Sequence, residues 1–208
     1  FAIWTDLRQN NMPLDQVIAM AEVESFQYGD VPATHWGLNA VTEMGNIGLA
    51  LPLEATEPTQ FSPNTMAQRD FTIATCVRLI EVPYSQDSAI EPPGSITLID
   101  LADSVYAQEI MRAVTPYQIV AGADDGLFHP AESISREHLV AMLVQALQQM
   151  VEPAALDIPN QVLTAPFEDV PANSLYAPQI KFIADAGIMR GDKNTNLFRP
   201  KNDLTRAE

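Results

Sequence analysis

Three arginines in this 208-residue chain share one placement. Arg69, Arg136 and Arg206 each follow, by six residues, the proline of a Phe-x-Pro triplet: Phe61-x-Pro63, Phe128-x-Pro130 and Phe198-x-Pro200. A guanidinium offers a planar fork of N–H donors that grips a carboxylate bidentately and stays charged at physiological pH. Such donors suit either an anionic ligand or a pairing with acids near a helix start. Residues for bond-breaking are sparse. His35, His129 and His138 are the three histidines, and no H-E-x-x-H, G-x-S-x-G or nucleotide loop occurs. Carboxylates abound, yet no pair is singled out as a glycosidase acid and base. Asp192, Asn194 and Asn196 have the first spacings of a calcium loop, but Leu197 stands where its sharp turn needs glycine. No catalysis, no cofactor and no metal site are expected.

Charge narrows the partners further. Eleven Lys and Arg against 27 Asp and Glu give a net charge of −16. Such a surface repels DNA, RNA and anionic lipid, so no nucleic-acid partner is expected. The balance is uneven along the chain. Residues 181–208 hold six cations and four acids, while the remainder holds five cations and 23 acids. That end can receive an anion the rest of the surface rejects. No apolar run approaches the roughly 18 residues of a membrane-spanning helix. The single cysteine, Cys76, lies among apolar neighbours and is expected to be a buried, inert thiol.

The elements that must carry the arginines come in three copies. An aspartate precedes an aromatic by six or seven residues at Asp30–Trp36, Asp100–Tyr106 and Asp169–Tyr176. A Phe-x-Pro triplet and its arginine then follow, at a period of about 70 residues. Each copy reads as helix, loop, helix. In the third, Ile180, Ile183 and Ala184 form a helical face, and Gly187 suits the left-handed turn that ends it. Thr205-x-x-Glu208 is a capping box opening a second helix. The second copy completes that helix, with Leu139, Met142, Leu143 and Leu147 on one face. The first has Phe71, Ile73, Ala74, Val77 and Ile80 there. The third copy's C-terminal helix is therefore expected beyond Glu208, in a longer protein. Proline-rich stretches at 81–94 and 151–161 read as linkers. The units expected are 26–82, 96–151 and 165–208, preceded by a helical extension at 1–25.

These motifs resemble the S-layer homology (SLH) repeats of bacterial envelope proteins. The resemblance is carried by "FEDVPANSLYAPQI", "AGIMRGDKNTNLFRP" and "LTRAE" in the third copy, "GADDGLFHP" and "SISRE" in the second, and "GDVPATHW" and "FSP" in the first. It implies an all-α fold in which three helix-loop-helix repeats form one pseudo-threefold domain. It also implies an extracytoplasmic place in the cell envelope and attachment to cell-wall polysaccharide or peptidoglycan-linked glycan, typically a pyruvylated polymer, in grooves between repeats. Carried over, the glycan-binding residues are Arg69, Arg136 and Arg206, with loop glycines Gly122 and Gly191. Two copies depart from the pattern: the first reads "QRDF" for the motif, and the second places His138 where the capping glutamate belongs. Arg206, in the intact third copy, is thus expected at a helix start with its side chain facing a groove. A different reading, scaffolding contacts with other envelope proteins, is favoured by the divergence of the first two copies.

Overall fold

The computed structural model describes residues 27–50, 59–81, 99–102, 104–115, 117–120, 125–151 and 156–208. The expected extension at 1–25, the proline-rich stretch after Glu81 and Gly122 lie outside them. Among the described residues there are five α-helices and no strand: α1 Leu38–Asn46, α2 Arg69–Glu81, α3 Ala107–Val114, α4 Arg136–Met150 and α5 Ala177–Asp185. Extended residues pair only as isolated bridges. The helix-rich, strand-free reading holds.

α2 buries the face its sequence announces, with Phe71, Ile73, Ala74, Val77 and Ile80 all buried. It packs on α3 and α4, and α4 packs in turn on α5. That position corrects the single leucine face expected for α4. Its buried apolar residues are instead Val140, Met142, Val144 and Ala146. Met142 and Ala146 join the core around α2 and α3, while Val140 and Val144 join a second cluster with Ile180, Ile183 and Phe198. A helix wedged between two cores needs apolar residues on opposite sides, so Leu139, Leu143 and Leu147 are left partly buried at the seams.

Gly187 ends α5 as expected. Its φ is +71°, and the N–H groups of Gly187 and Ile188 reach back to the carbonyls of Ala184 and Ile183, both at 3.0 Å. This is the paired bonding of a Schellman cap, which a left-handed residue permits.

The three Phe-x-Pro turns share one construction. The phenylalanines are buried, and each following residue is left-handed: Ser62 at +56°, His129 at +58° and Arg199 at +58°. None is glycine, so each carries a steric cost of about 1–2 kcal/mol. The aspartate upstream offsets it. Asp30 accepts from the N–H groups of Phe61 (2.8 Å) and Ser62 (2.6 Å). Asp100 does so from Phe128 (2.9 Å) and His129 (2.6 Å), and Asp169 from Phe198 (2.8 Å) and Arg199 (2.7 Å).

Backbone bonds link the segments after these turns into a closed ring. The N–H of Ala67 donates to Leu204, Leu204 to Ile134, and Ile134 back to Ala67, at 2.8, 3.1 and 3.1 Å. The carbonyls of Pro130, Pro200 and Pro63 accept, in the opposite rotation, from the N–H groups of Asp70, Glu137 and Ala207. All three segments end their turns against one another.

Candidate anion-binding site

The ring decides where the arginines go. Each is carried across a seam onto another segment's phenylalanine. Arg69 lies 4.8 Å from the Phe128 ring centroid, Arg136 4.9 Å from Phe198 and Arg206 5.0 Å from Phe61. Their backbone N–H groups bond across the same seams, to Glu132, Asn202 and Thr65. Spacing within a copy contains no trace of which neighbouring turn each arginine meets.

Arg206 is the clearest departure. Only 8% of the residue is exposed, and its guanidinium sits 3.8 Å from the Phe71 centroid with Nε donating to the Phe61 carbonyl at 2.7 Å. Tyr106 hydrogen-bonds to it, and Tyr28 and Asp70 lie near enough to act on its charge. Burial holds its pKa below the usual arginine value, against the pull of those neighbours. The expected groove-facing side chain is therefore enclosed in the core, because Ala207 and Leu204 bring it against α2 rather than outward. The capping box forms in part. Glu208 reaches back to the Thr205 N–H at 3.0 Å, but the threonine hydroxyl also donates to that carboxylate.

Asp70, next to Arg69, is buried beside Arg206. It accepts from the Phe71 N–H at 2.6 Å and from the Ser104 hydroxyl at 2.8 Å. Burial pushes its carboxyl up, opposed by those hydrogen bonds and by Arg206. Sequence reasoning missed this acid. Its only signal was that the first two motifs put Asp70 and Glu137 where the third has Ala207.

Arg136 has a different setting. Nε donates to the Phe198 carbonyl at 2.9 Å and Nη2 to the Arg190 carbonyl at 3.1 Å. Nη1 stands 3.7 Å from Glu208, an ion-pair distance too long for a hydrogen bond. Its side chain keeps 17% of its surface exposed. Arg69 is half-buried, with burial lowering its pKa and Glu132 raising it.

The glycines separate as well. A Cβ on Gly191 would meet Phe167 Cε1 at 2.6 Å and the Leu197 carbonyl at 2.8 Å, so packing against Phe167 accounts for this glycine. Close by, Arg199 bonds Asp192 at 2.6 Å and holds that carboxyl below its usual range. Gly122 lies outside the described residues. Among the described residues no group of three or more His, Cys, Asp or Glu could hold a metal, and no helix is long and apolar enough to cross a membrane.

Aspartate-clamped turns whose arginines cross helix seams define a module that presents guanidinium groups between its segments. The family model of the S-layer homology domain matches residues 100–140 and 166–208, which contain the clamps Asp100 and Asp169 and the arginines Arg136 and Arg206. The two matched segments carry the S-layer homology domain, which places the chain in the extracytoplasmic cell envelope. The chain is similar to the Surface-layer 125 kDa protein of Lysinibacillus sphaericus, with 28% identity over 123 residues. The aligned part is 58% of this chain and 10% of that protein, so the chain spans about a tenth of its relative's length.

Proposed function

We propose that the chain is a non-catalytic anchor that holds an envelope protein to the cell wall by binding acidic, pyruvylated polysaccharide or another peptidoglycan-linked glycan. One observation carries this reading: motif arginines are delivered to seams between segments, stacked on a neighbouring turn. A stacked, backbone-held guanidinium is pre-organised for a carboxylate. The ring of backbone bonds through Ala67, Ile134 and Leu204 supports a single domain of three pseudo-threefold repeats, at 26–82, 96–151 and 165–208. In that arrangement a seam lies between every pair of repeats.

The test is co-sedimentation with purified sacculi, either retaining their secondary polysaccharide or stripped of it by acid. Pelleting with the first preparation alone is the expected result. Equal pelleting with both would move the ligand to peptidoglycan itself. Pelleting with neither would replace the anchor by the scaffolding role.

A further inference from the structure

Resting on the anchor reading, we infer that the three arginines have divided their work: Arg136 receives the ligand's carboxylate, Arg206 is a structural member of the core, and each chain binds one anionic group. Three observations point the same way.

The first is what each guanidinium already touches. Arg206 is enclosed by Phe61 and Phe71, hydrogen-bonded to Tyr106 and accompanied by the resident acid Asp70. A ligand would have to open the core to reach it. Arg136 spends its Nε and one Nη2 donor on neutral carbonyls, leaving Nη1 without a hydrogen bond. Its nearest acid is Glu208, whose other oxygen is held by Thr205.

The second is the charge of the loop each arginine meets across its seam. Arg69 reaches the turn at Phe128, whose loop 121–129 has Asp124 and Asp125 and neither Lys nor Arg. Arg206 reaches the turn at Phe61, whose loop 48–62 has Glu54 and Glu57 and again no Lys or Arg. Arg136 reaches the turn at Phe198, whose loop 188–199 has Arg190, Lys193 and Arg199 against the single acid Asp192. Asp192 is itself bonded to Arg199 and Thr195. A chain of net charge −16 thus sets one motif arginine against a loop of net positive charge.

The third is access. Arg190 and Lys193 are exposed, on the loop whose carbonyls hold Arg136 in place. A carboxylate entering here takes the Nη1 edge that Glu208 faces at 3.7 Å, while the sugar ring lies against the 190–199 loop. The site is composite: its guanidinium opens α4 and its cationic wall follows α5.

Isothermal titration of the whole chain with a hexosamine carrying a pyruvate ketal tests this, with the ketal-free hexosamine as the neutral control. Wild-type chain is expected to bind one ketal sugar and to ignore the control. Arg136→Gln should lower affinity at least tenfold while thermal unfolding stays close to wild type. Arg206→Lys should unfold at lower temperature yet bind within twofold wherever it is folded. If Arg136→Gln does not fold, Lys193→Glu combined with Arg190→Glu changes exposed residues only and should lower affinity at least threefold. Three sites per chain, or unchanged affinity in either the Arg136→Gln or the double variant, would overturn the assignment. Should wild type pellet with sacculi while Arg136→Gln pellets equally, the division of labour falls and the anchor stands. A wild type that neither pellets nor binds the ketal sugar removes both.

Discussion

Replacing Asp169 by alanine isolates the device that shapes each turn. In the folded chain its carboxylate accepts from Phe198 N–H at 2.8 Å and Arg199 N–H at 2.7 Å. Hydrogen bonds to a charged group contribute about 1.5–3 kcal/mol each, so the pair sets an upper figure of about 3–6 kcal/mol. Exposure lowers it. Arg199 is exposed and water can replace the acceptor there, whereas the buried Phe198 offers little such relief. The left-handed φ of Arg199, +58°, works the other way, because the alanine variant keeps that cost without the bond opposing it. The net loss is expected at about 2–4 kcal/mol. Urea unfolding followed by circular dichroism reads it as a lower midpoint at unchanged slope. Asp169→Asn, which retains one acceptor oxygen, should fall between alanine and wild type. A loss below about 0.5 kcal/mol, within the range of ordinary surface substitutions, would refute the clamp as the force that holds the turn.

Gly191→Ala should cost about 1–3 kcal/mol, because its Cβ collides with Phe167 and a backbone carbonyl. Gly187→Ala meets open space but a φ of +71°, so about 1 kcal/mol is expected; urea midpoints of the two variants give the order. Burial raises the carboxyl of Asp70 above its unfolded value of 3.8, so its stabilising contribution is present below that pH and is lost as pH rises through the raised folded value. Asp70→Asn should therefore be more stable than wild type at pH 7, with the margin shrinking below about pH 4; a margin that grows on acidification would reverse the sign. The Cys76 thiol, fully buried with its pKa pushed up to about 12, should react with a thiol reagent only as the chain unfolds. Labelling at native rates typical of an exposed thiol would contradict that burial.

What the sequence disclosed was local. The helical faces of α2 and α5, the glycine stop at Gly187 and the glutamate half of the capping box all depend on residues within a few positions of one another, and all stand in the structure. The aspartate before each aromatic was visible as a spacing, but its task was not. Its partners are 28 to 32 residues away, and they are backbone N–H groups that carry no residue signature. The three motif arginines share one construction in the structure, yet Arg206 does not face the groove expected for it. Sequence put Arg206 in the cation-rich segment 181–208, whereas the backbone ring carries it to Phe61, 145 positions away. α4 misled for a similar reason: contact on two sides spreads apolar residues around a helix and hides the face that a single core would print.

The same ring explains how three loops could diverge while their frame stayed in register. The bonds that join the segments run between main-chain groups of Ala67, Ile134 and Leu204, and the proline carbonyls accept from backbone N–H groups. None of these depends on the side chains of the loops. A loop can therefore exchange lysine for glutamate, as 48–62 and 188–199 do relative to each other, without disturbing where an arginine is delivered. The side chain that follows each motif arginine is free to diverge in the same way. Asp70 is drawn to Ser104, buried Glu137 pairs with Lys201, and Ala207 carries no charge. On the proposed anchor reading, loop charge and that one adjacent position would set the ligand chemistry, while the main chain sets the geometry. Divergence at the first of these three segments need not cost the others their function, which is the physical sense in which one intact cationic loop can suffice for an anchor.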